Sequence, residues 1–480
     1  MSPPLISKAA ARYTGAGGKE HCSLCRHFSP RRGGRCARVL GDISPRGWCR
    51  LFSREMRGLV ADASSFNGGG GPALGLDFMT PGVLDPRITF TRASTATYFD
   101  SAGVLRTATT NAPRWDYDPA TLALRGLLIE EARTNTQPYS ADLTVVGWLK
   151  TDVTATVAAG IAPDGTNTMQ RLAETATNAL HYLWSLSAVP ASVSLTQSVF
   201  LKMQQVRYVQ MFLDSGGAVG AYATFDLQAG TITGPLTAYG GATLGTATIV
   251  PVGNGVYRCA ITTTIGASTS ARFGLILATV PSGGFAGDSH PGNTANGLLV
   301  WGAQVEAGAF ASSYIPTTSA VVTRAVEVCQ IPTGSWFGPS ALSVLYEIIP
   351  KYPSGKPIGG ICDNDFNNAF FLDFGDGTNF VASRAGPGGA TASLGAPNTA
   401  NMITKVATTY TPTLATICGN GGVVASSAGL ASLPLTTATR ITLGNYPWDP
   451  TAAALNGWLR RFGYWSRVLT NAELQTVTTP

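Results

Sequence analysis

Four cysteines crowd into 28 residues near one end of this 480-residue chain, spaced Cys22-x2-Cys25-x10-Cys36-x12-Cys49, while Cys259, Cys329, Cys362 and Cys418 are scattered. Thiolates at such density are metal ligands more readily than a disulfide scaffold, whose cysteines are spread differently. Structural zinc usually takes its ligands from two tight CxxC or CxxH knuckles, and only Cys22 and Cys25 form one here. Lone third and fourth cysteines favour a larger centre: the iron corners of a [4Fe-4S] cube lie ångströms apart and accept sulfurs from separate chain passages. Zinc, or cysteines that simply stay reduced, are the alternatives. The arginines threaded through the segment (Arg26, Arg31, Arg32, Arg35, Arg38 and Arg46) would offset an anionic cluster, and nucleic-acid contact is not expected of them.

Catalytic constellations are harder to assemble. The four histidines, His21, His27, His181 and His290, stand in unrelated sequence contexts, and neither a Gly-x-Ser-x-Gly elbow nor an HExxH helix is present. A glycosidase needs two carboxylates across a sugar. Glu130 with Glu131, or Asp373 with Asp376, qualify only by closeness in sequence, and neighbours on a strand face opposite ways. Asp363-Asn-Asp365-Phe-Asn-Asn is an oxygen-rich loop in which Asp363 and Asp365 would be calcium ligands, but it lacks the EF-hand glycine and terminal glutamate, so a hydrated turn is the simpler expectation. Tyr446-Pro-Trp448 puts two aromatic rings in a loop, where they can stack on a sugar face or pack into a core. The other tryptophans of the later chain, such as Trp184, Trp301, Trp336, Trp458 and Trp465, read as core.

The elements that would position these residues are strands. Charged residues make up only 12% of the chain and glycine numbers 56, which disfavours helical and coiled-coil classes. Residues 1–60 carry 12 basic and 3 acidic groups, leaving 21 and 24 for the remainder, so a basic module precedes a weakly acidic body. Residues 61–76 contain four consecutive glycines and read as a linker. Residues 77–140 hold short apolar runs between turn signals and suggest a small collar. Two sandwiches follow, at 141–320 and 321–480. Strands are expected at 197–213, 221–227, 255–265, 271–280 and 297–305 in the first, and at 342–349, 369–374, 403–410, 415–418, 440–443 and 458–465 in the second. In 256–262, period-2 alternation puts Tyr257, Cys259 and Ile261 on a core face and Arg258 and Thr262 on the other. Thr470-Asn-Ala-Glu473 has the capping-box spacing of a short helix. The uncharged stretch 227–257 is broken by Gly, Pro and Thr and is no membrane span. Without an apolar leader in the first residues, no export signal is expected and the chain should fold in a cytosol.

Residues 5–54 resemble high-potential iron-sulfur proteins, on Ile6-Ser-Lys-Ala-Ala-Ala-Arg-Tyr13, Cys22-Ser-Leu-Cys-Arg-His-Phe28 and Gly47-Trp-Cys49. The resemblance implies a [4Fe-4S] cluster on Cys22, Cys25, Cys36 and Cys49 inside a shell of Tyr13, Phe28, Trp48 and Phe52. Residues 77–140, Trp301-Gly-Ala-Gln-Val-Glu-Ala-Gly and Ser313-Tyr-Ile-Pro-Thr resemble tailed-bacteriophage fibre, spike and minor tail proteins. Residues 141–320 are similar to carbohydrate-binding jelly-roll sandwiches. Residues 321–480, with Gly457-Trp-Leu-Arg-Arg-Phe-Gly-Tyr-Trp-Ser-Arg-Val-Leu-Thr-Asn-Ala-Glu-Leu474, look like a concanavalin A-like, laminin-G-like sandwich. Together these imply a non-enzymatic virion protein. It would attach to other virion proteins through its iron-sulfur module and offer lectin-like domains, with Tyr446 and Trp448 as contacts, to host-surface glycans, as a homotrimer. The alternatives are a polysaccharide depolymerase or glycosidase on the same scaffold, and an electron-transfer module with a binding appendage.

Overall fold

The computed structural model describes residues 71–281, 284–375, 379–385, 391–395, 399–411, 414–428 and 435–480, and the backbone of Phe28–Ser29 and Arg35–Cys36. The chain divides into two units, Met1–Val60 and Ala61–Pro480. In the first, two short strands pair antiparallel with Phe28 opposite Cys36. Tyr13, Cys22, Cys25, Trp48, Cys49 and Phe52 lie outside the described residues.

The second unit is mainly β and is built from two sandwiches of antiparallel sheets. In the first sandwich, one sheet runs Val153–Gly160, Met169–Glu174, Gly297–Ala307, Leu195–Met203, Val256–Thr264, Thr243–Pro251. The other runs Leu149–Thr151, Tyr182–Ala188, Ser270–Ala278, Tyr208–Asp214, Gly220–Asp226 and ends on two short strands. Leu172, Val199, Leu201, Met211, Phe225, Ile261, Phe273, Leu275 and Val300 fill the space between them. Apolar side chains at every second position of facing strands bury one face each, and that burial holds the two sheets together. Cys259 sits in this core, fully buried, with Ile261. Arg258 and Thr262 point to the opposite face, as the alternation requires.

In the second sandwich, Leu342–Pro350 lies between Thr404–Tyr410 and Gly457–Trp465 in one sheet. Pro357–Cys362 lies between Ala369–Asp373 and Arg440–Leu443 in the other. Residues expected as a separate collar supply strands here. Leu124–Ile129 pairs through Leu127, Leu128 and Ile129 with Leu459, Trp458 and Gly457, and Thr89–Thr91 pairs with Val328–Pro332. Just before them, Leu74–Asp77 pairs with the Tyr464–Arg461 half of the same Gly457–Trp465 strand. The reason is burial: Leu74, Leu76, Phe78, Leu127 and Ile129 belong to the second sandwich's core, and segments this short have no core of their own to bury them in. Gly126 makes the approach possible, since a Cβ there would sit 2.5 Å from the Leu459 carbonyl oxygen at a φ of +132°.

The α-helix among the described residues, Asn471–Thr478, starts at the expected capping box: the Glu473 amide donates to Thr470 Oγ1 at 3.3 Å and the Thr470 amide to Glu473 Oε2 at 2.8 Å. Arg467, Thr470 and their hydrogen bonds hold the Glu473 carboxyl down at about 2. No helix of the described residues is long and apolar enough to cross a membrane.

Candidate functional site

The loop after Arg440–Leu443 carries the two aromatic residues singled out for sugar contact. Tyr446 and Trp448 stack with centroids 4.7 Å apart and planes 26° apart. Phe371 meets Trp448 edge-on at 4.8 Å from below, and the half-exposed Phe366 meets it edge-on at 4.8 Å from the side. Both loop rings are half-buried, with one part packed on Cys362, Ala369 and Phe371. The two readings of this motif, core and ligand surface, are thus both realised in part: the rings anchor the loop and still leave an aromatic surface in solvent. The backbone between them is fixed at the Pro447 carbonyl, which accepts from Cys362 Sγ at 2.8 Å and Arg440 Nε at 2.8 Å. Burial, with the nearby Asp373 carboxyl, pushes the Tyr446 phenol up to about 12, so it remains a neutral hydrogen-bonding group at any ordinary pH.

Asp363 and Asp365 border this patch and shape it. Asp363 Oδ2 accepts from Thr437 Oγ1 at 2.6 Å and Asn368 Nδ2 at 3.0 Å. Asp365 caps the turn Phe366–Asn368 by accepting the Asn367 amide at 2.9 Å. Their carboxylates therefore hold Phe366 against Trp448. Among the described residues no three His, Cys, Asp or Glu side chains converge as metal ligands.

Glu130 and Glu131 are both committed to ion pairs. Glu130 is fully buried and accepts from Arg114 Nη2 at 2.9 Å, Ser313 Oγ at 2.6 Å and Lys351 Nζ at 2.8 Å. Burial alone would raise its pKa, but Arg324, Lys351 and Arg114 hold it well below the usual carboxylate range. Glu327, equally buried, receives Arg92 Nη1 at 2.7 Å and Arg114 Nε at 2.7 Å. Glu131 pairs instead with Arg133 and Lys356, each at 2.6 Å. These groups form an ionic tether that ties residues 92–131 to the connector 312–327 and to the second sandwich. Asp376 lies outside the described residues; Asp373 accepts the Gly375 amide at 2.9 Å, and burial raises its pKa.

His181 and His290, which look unrelated in sequence, are neighbours, their rings 4.8 Å apart. Pairing of Asn178–Ala179 with His290–Pro291 brings them together. His181 Nδ1 lies 2.7 Å from the Asp152 carbonyl oxygen and His290 Nε2 lies 3.3 Å from Glu174 Oε1, so both rings serve loop anchoring. His21 and His27 lie outside the described residues.

A second aromatic group escaped the sequence reading. On the outer face of the first sandwich, Tyr239 stacks on Phe285 at 4.7 Å, and Tyr222 lies 5.6 Å from the same ring. Tyr239 Oη donates to Asp214 Oδ2 at 2.6 Å, and Arg272 Nη2 reaches the same oxygen at 2.6 Å. Phe285 sits in a loop with no periodic signal, which is why the cluster was not legible.

Residues 335–475 match the sequence model of the Concanavalin A-like lectin/glucanases superfamily. No curated protein sequence matches the chain. Among solved structures, the chain is similar to the CBM40 of the Ruminococcus gnavus IT-sialidase bound to α2,3-sialyllactose, at 13% identity, TM-score 0.27, 30% of this chain and 84% of that one. It is also similar to domain 4 of the arabinanase AbnA from Geobacillus stearothermophilus, at 14% identity, TM-score 0.29, 35% of this chain and 82% of that one. The mouse laminin α1 chain domains LG4-5 match at 12% identity and TM-score 0.23, over 70% of this chain and 95% of that one. Over residues 335–475 the C-terminal β-sandwich is thus similar to concanavalin A-like lectins.

Proposed function

We propose that the chain is a non-enzymatic fibre or spike protein of a tailed-bacteriophage particle, and that its lectin-like C-terminal sandwich holds a host-surface glycan on the Tyr446–Trp448 surface. The observation that carries the glycan reading is that stacked, half-buried pair on a lectin-like sandwich, braced by Phe366 and Phe371. Flat rings left partly in water suit the apolar faces of pyranoses, and the fixed loop around Pro447 limits the entropy lost on binding. The virion role rests on the fibre-like segments at 77–140 and 301–317. The same reading has Cys22, Cys25, Cys36 and Cys49 holding a [4Fe-4S] cluster in the attachment module, and three chains per fibre.

Trp448→Ala should weaken binding of the chain to its best ligand on an array of host-surface glycans by at least about tenfold, a change of roughly 1.4 kcal/mol. The far-ultraviolet spectrum should not move. Binding unaltered in Trp448→Ala would remove this surface from the proposal. Mass spectrometry of purified particles lacking the chain would remove the virion role, and light scattering that gives one chain mass would remove the trimer.

A further inference from the structure

A cleft among the described residues lies between the two sandwiches, and Trp448 is not part of its lining. It encloses about 530 Å³, within the ~300–1,000 Å³ of ordinary small-ligand sites. One wall is the outer face of the first sandwich, with Arg258, Thr248 and Val250; Tyr98, from the strand Ala96–Phe99 that pairs with Leu105–Ala108, and the second sandwich's Lys351 and Tyr352 line it too. Tyr98 and Tyr352 are half-buried, and Phe310 stacks on Tyr352 with centroids 5.6 Å apart at the junction.

The charges of the cleft do not all find partners. Arg125 pairs with Asp118 at 2.7 Å, and Lys351 pairs with Glu130 at 2.8 Å. Asp116, the carboxylate of the cleft, accepts from the Phe99 amide at 2.7 Å and Trp458 Nε1 at 2.8 Å. Arg258 differs. Its Nη1 donates to the Ser312 carbonyl oxygen at 2.6 Å and its Nη2 to Ser198 Oγ at 2.9 Å, while its Nε is buried without a partner. No carboxylate touches it. The carboxylates of Glu306 and Glu130 act on it from a distance without an ion pair, Glu306 being held by Gln304 at 2.6 Å and by the Ser312 hydroxyl at 2.7 Å. A partly buried guanidinium with no direct counter-ion favours an arriving anion, and its planar fork suits a carboxylate.

We propose that this cleft binds an acidic oligosaccharide, its carboxylate at Arg258 and its sugar rings against Tyr98 and Tyr352. The exposed hydroxyl groups of Thr246 and Thr248 and the amide of Asn401 line the same cleft. Phe99, Val250, Val252 and Phe310 make the rest of the lining largely apolar, and polar groups set into an apolar wall suit a sugar, whose ring faces are apolar and whose edges carry hydroxyls. The site needs both sandwiches and goes beyond the Trp448 surface.

The test is calorimetry on the full chain with oligomers of galacturonic acid and of sialic acid, each beside its carboxyl-reduced counterpart. An acidic probe should bind, and its reduced form should bind at least tenfold more weakly. Arg258→Gln should erase that difference. Thr248→Trp, at an exposed position that keeps every charge, should block the cleft and remove binding, while Trp448→Ala leaves acidic-probe binding intact. Equal binding of acidic and reduced probes, or acidic binding that survives both Arg258→Gln and Thr248→Trp, overturns the proposal. Failure of every acidic probe overturns it too. If neutral glycans then still bind through Trp448, the surface reading stands without the cleft.

Discussion

Glu327→Gln is expected to cost the chain about 3–5 kcal/mol, the range for breaking a buried ion pair by removing one partner. The side chains of Glu327, Arg92 and Arg114 are all wholly buried, and the amide that replaces the carboxylate leaves Arg92 without its anion and Arg114 with Glu130 alone. Chemical denaturation of the full chain measures this. Arg207→Ala, which breaks a pair with Asp226 whose arginine is 42% exposed, should cost less than about 1 kcal/mol in the same assay. Equal costs for the two would show that burial does not govern the tether. Acid should act on the same cluster. Glu130 binds its proton more weakly in the folded chain than in the unfolded one, so its contribution is complete above its unfolded pKa of about 4.3 and declines as the pH falls toward its depressed folded value. The denaturation midpoint should therefore hold nearly constant from pH 7 to about pH 5 and drop between about pH 4 and about pH 2. A flat profile across that window would contradict the ion-pair account.

Cys36→Ser should abolish the brown colour and the absorbance near ~400 nm that thiolate-ligated iron gives. If four sulfurs tie separate chain passages to one centre, loss of one loosens all of residues 1–60, because a module of that size buries too little apolar surface to hold itself. The antiparallel register that sets Phe28 opposite Cys36 puts a proposed shell residue beside a proposed ligand on paired backbones, the kind of local order that cluster binding would reinforce. Beyond the glycine-rich linker, the tryptophan fluorescence melt of the sandwiches should stay where it is, and incorporation into particles should fail. Iron content and colour unchanged in Cys36→Ser would remove this cysteine from the ligand set. Particles that assemble and infect normally without the cluster would leave it no structural role.

What the sequence showed and what it hid follow one physical rule. Each strand expected in the second sandwich is present within a residue or so of its expected ends, because the apolar runs there are bounded by glycine, proline and polar turns. The alternation in Val256–Thr264 even separated Cys259 and Ile261 from Arg258 and Thr262, the face that lines the cleft. Thr243–Pro251 was not legible: it is an edge strand with most residues exposed, so no apolar alternation marks it. The expected run 197–213 is two strands, Leu195–Met203 and Tyr208–Asp214, lying in different sheets, since continuous hydrophobicity does not reveal a crossing between layers. Trp448 was visible as an aromatic residue in a loop. The tether of Arg92, Arg114, Glu130 and Glu327 was not, because its members are up to 235 residues apart and charge in a sequence normally signals surface.

The pairing of Leu74–Asp77 with the Tyr464–Arg461 half of Gly457–Trp465 has a mechanical side. Leu74–Asp77 is laid lengthwise against a central strand of the sheet, and antiparallel hydrogen bonds run across the strand direction. Tension drawn along the chain into Leu74 therefore loads the bonds of Leu74, Gly75, Leu76 and Asp77 together, in shear, where a peeling pull would break them one after another. Leu74 and Leu76, set into the core, resist the same slide. Under such a load this end of the sandwich would yield late, because all four pairs have to fail together.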